Sequence, residues 1–240
     1  MIKGVSFDAA GTLLVNRYHP SRFARTCAEA CGIAISDQDE SIYMRLLRDR
    51  MADFWRINQT RSVEGLQDFW LDLTATWLEE AGEDRSHAQL VCNEGERQMV
   101  ETEDWFELYP DVLPAINLLV KQQLPVFVLS NWDLSLYRIL ESKVRPSPFR
   151  IVIASLAEGF EKPDPRIFNV LSSRANLEPS QILHIGDSWR DDIEGALNAG
   201  LHAGFIDRSL SIIATKELVG TQMLIRGPSL DAIVEAALSN

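Results

Sequence analysis

From Trp105 onward, short apolar runs rich in β-formers alternate with stretches of helical period, and this alternation constrains the fold more than any other feature of the chain. A helix over Leu113 to Gln122 leads to a strand at Pro125 to Leu129 and then to another helix. Further strands follow at Ile151 to Ala154, Ile182 to Ile185, Ala203 to Ile206 and Gln222 to Ile225, and Ser229 caps a last helix. Strands that alternate with helices build βαβ units and hence a parallel sheet.

One more strand of this kind lies at the start of the chain, Ile2 to Phe7, and ends at Asp8 before the turn residues Gly11 and Thr12. Between that strand and the βα alternation, from about Tyr18 to Glu101, the period is helical throughout. The segments SRFARTCAEAC, SIYMRLLRDRMADFW, LQDFWLDLTATWLEEAG and SHAQLVCNEGERQMV show almost no strand-like alternation. The expected architecture is a doubly wound α/β core with a mainly parallel sheet, residues 1–16 and 105–240. An all-α domain, residues 17–104, interrupts it after the first strand. Two domains with a cleft between them would make an enclosed site.

Composition narrows the function classes. With 46% hydrophobic residues, the 240-residue chain can bury a substantial core. No stretch approaches the ~18 consecutive apolar residues of a membrane span, and the N-terminus lacks a signal peptide's organisation, so the expected location is the cytoplasm. A net charge of -12 and a pI near 4.8 give no electrostatic support for a nucleic-acid partner. The three cysteines, Cys27, Cys31 and Cys92, form no CxxC pair and read as packed thiols rather than a disulfide framework or zinc site.

In open parallel sheets, ligands bind beyond the carboxyl ends of the strands, which directs attention to Asp8, Thr12, Ser130, Asn131, Lys162, Asp187 and Asp192. Each type has a chemical use there. A carboxylate such as Asp8 can attack phosphorus, and the hydroxyls of Thr12 and Ser130 with the amide of Asn131 can donate to phosphoryl oxygens. The ammonium of Lys162 offsets repulsion between carboxylate and phosphate. Asp187 and one of Asp191 and Asp192 offer hard oxygens that suit Mg²⁺. Asp8, Thr12, Ser130 and Asn131 also read as ordinary turn formers, Asn131 above all, Lys162 as a solvated surface lysine, and Asp191 and Asp192 as favourable charge at a helix N-terminus, Asp191 above all. His184, on a strand just before Asp187, reads as a hydrogen-bonded core histidine.

Four segments carrying these residues, SFDAAGTLL, FVLSNWD, GFEKPDPRIF and HIGDSWRDD, resemble the four motifs of the haloacid dehalogenase-like hydrolase superfamily in order and spacing. The insert stands where that family carries a helical cap. The resemblance implies a Rossmann-like core with Asp8 as nucleophile through an aspartyl-phosphate, and Thr12, Ser130 and Lys162 as catalytic groups. It also implies that Ser130, Asn131 and Lys162 bind the phosphate of a small phosphorylated metabolite. Magnesium would be held by Asp8, the backbone carbonyl of Ala10, Asp187 and Asp192, whose spacing fits the family better than that of Asp191.

One position departs from the family's phosphatases, which carry a second Asp two residues after the nucleophile as general acid and base. Here it is Ala10. Loss of such a group typically costs ~10²- to 10⁴-fold in rate, so a slow phosphatase is expected, with less penalty for good leaving groups. Phosphonoacetaldehyde hydrolases share the Ala but need a cap lysine, and no lysine lies between Gly4 and Val120. Haloacid dehalogenases are a lesser alternative, since their fourth motif lacks the acidic pair of GDSWRDD. A phosphate- and metal-binding regulatory protein with weak turnover is the other alternative. DAAGTL, GFEKPDPRIF and GDS are similar to an uncharacterised subgroup related to a rhythmically expressed gene product, which leaves the substrate open.

Overall fold

The computed structural model describes residues 1–102, 105–211 and 214–239, with Asn16 described by its backbone alone. Asp104 and Asn240, the last residues of the expected insert and core, lie outside the described residues. The chain divides into two compact units, residues 1–15 with 108–240, and residues 16–107.

The chain opens with β1 (Gly4–Phe7) and β2 (Leu14–Asn16), then runs through α1 (Pro20–Ala30), α2 (Asp37–Asp49), α3 (Met51–Thr60), α4 (Val63–Glu80) and α5 (Ala88–Glu101) to β3 (Phe106–Leu108). β2 and β3 pair as a separate two-stranded sheet. The helices of this unit form because their apolar residues recur at helical spacing and their starts are capped. Ser36 accepts from the Asp39 N–H while Asp39 returns a carboxylate to Ser36, a reciprocal capping box, and Ser62 accepts from Gly65. Phe54, Phe69 and Trp77 are buried, as expected of packing aromatics, and the Trp77 indole donates to Asp39 O at 2.7 Å. Among the arginines of this unit, Arg17, Arg25, Arg45 and Arg56 pair with nearby carboxylates.

The other unit continues with α6 (Val112–Lys121), β4 (Val126–Ser130), α7 (Ser135–Lys143), β5 (Phe149–Ala154), α8 (Ser155–Glu158), α9 (Pro165–Ala175) and β6 (Ile182–Gly186). A π-helical turn, Trp189–Glu194, runs into α10 (Gly195–Asn198), followed by β7 (His202–Ile206), β8 (Thr215–Val219), β9 (Gln222–Gly227) and α11 (Leu230–Leu238). Seven strands make one sheet in the order β5-β4-β1-β6-β7-β9-β8, parallel except for β8, which runs antiparallel to β9. This is the α/β, Rossmann-like sheet that the alternation predicts. Within this sheet β8 is the strand the sequence reading omits, because TKELV is exposed along its whole length and carries no apolar run or alternating apolar face.

β1 lies inside the sheet, between β4 and β6, and all four of its residues are buried. A strand covered on both faces is apolar at consecutive positions rather than alternately. Around it Phe127, Leu129, Ile153, Phe168, Leu171, Ile182 and Leu224 form part of one continuous core. The register pairs Phe7 with Val128 and Ile185, which brings the carboxyl ends of β1, β4 and β6 to one edge. Asp8, Ser130 and Asp187 therefore leave the sheet side by side.

Candidate active site

Asp8 follows the last residue of β1, and its N–H donates to Ile185 O of the neighbouring strand at 2.8 Å, so the sheet ladder extends one residue into the site. Its Oδ1 accepts from Ser130 Oγ at 2.9 Å and from Lys162 Nζ at 2.6 Å. Lys162 Nζ also donates to Leu129 O at 3.0 Å and to Asp192 Oδ1 at 2.5 Å. Three residues far apart in sequence thus meet through one ammonium, which is 3% exposed beside Asp8 at 6% and Asp192 at 1%.

Lys162 is held from behind as well. Its N–H donates to Asn131 Oδ1 at 2.8 Å, and Asn131 Nδ2 donates to its carbonyl at 2.9 Å. The side chain of Asn131, expected among the phosphate donors, therefore spends its oxygen and one N–H on the backbone of Lys162. Asp192 is equally committed: Oδ1 faces Lys162 and His184 Nε2 (3.1 Å), and Oδ2 accepts from Ser188 N at 3.0 Å.

His184 is fully buried, in register with Ser6 on the adjacent strand, and its Nδ1 lies 3.1 Å from Ser6 Oγ. An ionised Asp192 can only accept, so Nε2 carries the proton and Nδ1 accepts from the Ser6 hydroxyl. The sequence reading places His184 in the core with hydrogen bonds; what it misses is that the bond goes to Asp192. The available signal is that Ser6 and His184 are polar residues inside two otherwise apolar strands.

Thr12 is buried and its Oγ1 lies 3.4 Å from Asp187 Oδ1. Asp187 itself is exposed. Gly11 has φ 82°, and a Cβ there would stand 2.3 Å from Asp187 Oδ2, while a Cβ on Gly186 would stand 2.1 Å from Asp192 Cγ. The two carboxylates occupy space that only glycine leaves open.

The electrostatics follow from this crowding. Burial would lower the Lys162 pKa, but Asp8 and Asp192 outweigh it and hold the ammonium above its usual range. For Asp192 the burial cost is overcome by Lys162 and His184, so its carboxyl stays well below the usual carboxylate range. Asp8 is pushed upward, by burial first and then by Asp192 and Asp187 against the opposing pull of Lys162. Asp187, although exposed as a residue, is raised by partial desolvation of its carboxyl and by Asp192. Burial lowers the His184 pKa and keeps the ring neutral.

Oxygens of Asp8, Asp187 and Asp192 lie within 4.8 Å of one another, a donor set of hard anionic oxygens that suits a small divalent cation. With all three ionised, one ammonium leaves excess negative charge at the site, which a cation would compensate. Asp191 is partly exposed in the π-helical turn, with its N–H on Ser188 Oγ at 3.2 Å.

A family model described as haloacid dehalogenase-like hydrolase matches residues 2–200. The chain is a haloacid dehalogenase-like hydrolase. Among curated relatives of this hydrolase, the bovine (Bos taurus) haloacid dehalogenase-like hydrolase domain-containing protein 3 is 32% identical over 56% of the chain and 54% of its own length. Its mouse (Mus musculus) namesake is 25% identical over 97% of the chain and 92% of its own length. A phosphoserine phosphatase from Thermus thermophilus is 28% identical over 44% of the chain and 43% of its own length. The alignments with the bovine and Thermus relatives thus span about half of those proteins. The 2-haloacid dehalogenase of Pseudomonas syringae superposes with a TM-score of 0.67 over 100% of both chains at 23% identity, a likeness of fold. Among the described residues no helix is long and apolar enough to cross a membrane.

Proposed function

We propose that this hydrolase is a Mg²⁺-dependent phosphatase of a small phosphorylated metabolite, acting through an aspartyl-phosphate on Asp8. The observation that carries the reading is the Asp8 carboxylate at the end of β1, oriented through Oδ1 by both Ser130 and Lys162, with Asp187 beside it. A phosphatase-named relative supports the reaction class.

Asp8 attacks phosphorus, and the bond from phosphorus to the leaving oxygen breaks with its electron pair on that oxygen. Water then attacks the aspartyl-phosphate, releasing phosphate and restoring the carboxylate. Lys162 offsets repulsion between the incoming phosphate and Asp8, and the Ser130 hydroxyl is placed to turn toward a phosphoryl oxygen. Asp192, its oxygens already engaged, serves chiefly to hold Lys162. Mg²⁺ would be held by Asp8, Asp187, the Ala10 carbonyl and, behind them, Asp192, and would supply charge neutralisation of the phosphoryl oxygens.

A methyl group at Ala10 neither donates nor accepts a proton, which favours a second reading in which the site binds phosphate and metal with little turnover. One panel separates the two: an activated aryl phosphate and common phosphometabolites with Mg²⁺, for wild type, Asp8→Asn and Ala10→Asp. Turnover that needs Mg²⁺, vanishes in Asp8→Asn and rises in Ala10→Asp supports the phosphatase. An inert wild type with a gain only in Ala10→Asp supports the binding protein, and no turnover in any form removes the phosphatase.

A further inference from the structure

The turn that carries Ala10, Gly11 and Thr12 is closed on itself by Gly11 N to Leu14 O (2.8 Å), Leu13 N to Ala9 O (2.9 Å) and Leu14 N to Ala9 O (2.8 Å). Such bonds define its shape and leave open where it stands. Two further bonds, from segments distant in sequence, grip its carbonyls: Tyr109 N donates to Leu13 O at 3.1 Å, and Arg208 Nη2 donates to Thr12 O at 2.8 Å.

Arg208 lies just beyond β7 and is fixed on three sides. Its Nη1 donates to Asp111 Oδ2 at 2.8 Å, and its guanidinium carbon stands 3.6 Å from the centroid of the Tyr109 ring. Asp111 Oδ2 also accepts from Leu230 N at 2.7 Å, the first residue of α11. Both side chains are largely covered, at 25% and 12% exposure, so the ion pair is partly shielded from water. A planar guanidinium can stack and donate in two directions at once, which the point charge of a lysine does not reproduce.

We infer that Arg208 is a positioning residue for the turn after Asp8: by holding the Thr12 carbonyl it fixes the backbone of Ala10 to Thr12 against Asp187. Its consequence for catalysis rests on the proposed phosphatase reading; its consequence for the turn does not. The residue touches no reacting atom and acts through the backbone of a loop that, on the phosphatase reading, presents Thr12 and the Ala10 carbonyl to the site.

The test compares wild type, Arg208→Ala and Arg208→Lys by amide hydrogen exchange and by Mg²⁺-dependent turnover of an aryl phosphate. In both variants the Gly11, Leu13 and Leu14 amides are expected to exchange about tenfold faster, with the sheet amides of Val5 and Val128 unchanged. Turnover is expected to fall about tenfold through kcat, and millimolar guanidinium should restore part of it in Arg208→Ala but not in Arg208→Lys. Turn protection and kcat equal to wild type would overturn the inference, as would a uniform loss of protection across the sheet without rescue. An inert wild type whose turn still loosens in the variants refutes the phosphatase reading and leaves the role of Arg208 standing.

Discussion

The ammonium of Lys162 stands between Asp8 and Asp192 with both pairs almost fully buried, so its removal leaves two desolvated carboxylates facing each other. Lys162→Met should abolish turnover and destabilise the protein by about 3–5 kcal/mol near neutral pH. Without the lysine the pKa values of Asp8 and Asp192 rise above their unfolded values, the folded state binds more protons, and the deficit shrinks as pH falls. Urea denaturation of the variant at pH 8 and at pH 5 measures this; a deficit that grows on acidification contradicts the account. At Ala10 the prediction concerns the leaving group. With no proton donor at that position, log(kcat/KM) for a series of aryl phosphates should fall steeply as leaving-group pKa rises, and Ala10→Asp should flatten the slope. Equal slopes in the two proteins would mean that another group supplies the proton.

The strand-end turns are the elements that convert a sheet into a site. Gly11 adopts φ 82°, and a Cβ on it would stand within 3 Å of the Asp187 carboxylate, so Gly11→Ala combines left-handed strain with a collision. A cost of about 1–3 kcal/mol in stability is expected, together with weaker Mg²⁺ activation, read from the metal dependence of turnover. Unchanged metal dependence would show that the turn yields without moving Asp187. At this scale the sequence is legible where burial is two-sided: β1, β4 and β6 appear as mainly apolar runs, and Asp8, Ser130 and Asp187 at or just past their ends point to the candidate site. It is opaque where an element has no apolar face, as in β8, or is too short to have a period, as in β2 and β3. The meeting of Lys162 with Asp8 and Asp192, the clasp of Asn131 on the Lys162 backbone, and the bonds of His184 and Arg208 all link positions that local pattern does not connect. Asp8, Ser130, Lys162 and Asp187 could be named from motif spacing, whereas what each side chain grips needed the fold.

At the scale of the whole molecule, two buried imidazoles add to the pH sensitivity that the carboxylates carry. His202 Nδ1 accepts from Met223 N at 3.0 Å, and burial lowers the ring's pKa below the ordinary ~6.5. The unfolded chain therefore takes up the proton first, so stability is complete above about pH 6.5 and falls as the pH drops toward the folded-state value. His184 contributes in the same window with the same sign. His202→Asn, which keeps an acceptor for Met223 and removes the titration, should reduce the slope of unfolding free energy between pH 5 and 7; an undiminished slope would assign it elsewhere.

The interior position of β1 in the sheet also dictates when the molecule can exist. Val5 pairs with Val126 on one side and with Leu183 on the other, so β1 leaves the ribosome long before either of its neighbours. At roughly 5–20 residues per second, on the order of ten seconds or more pass before Leu183 is made, with an apolar strand waiting unpaired. The helical unit, residues 16–107, has all its residues by then and depends on contacts much closer in sequence. Nascent chains stalled before β6 should therefore hold a folded helical unit together with an apolar β1 that still lacks one of its two neighbours.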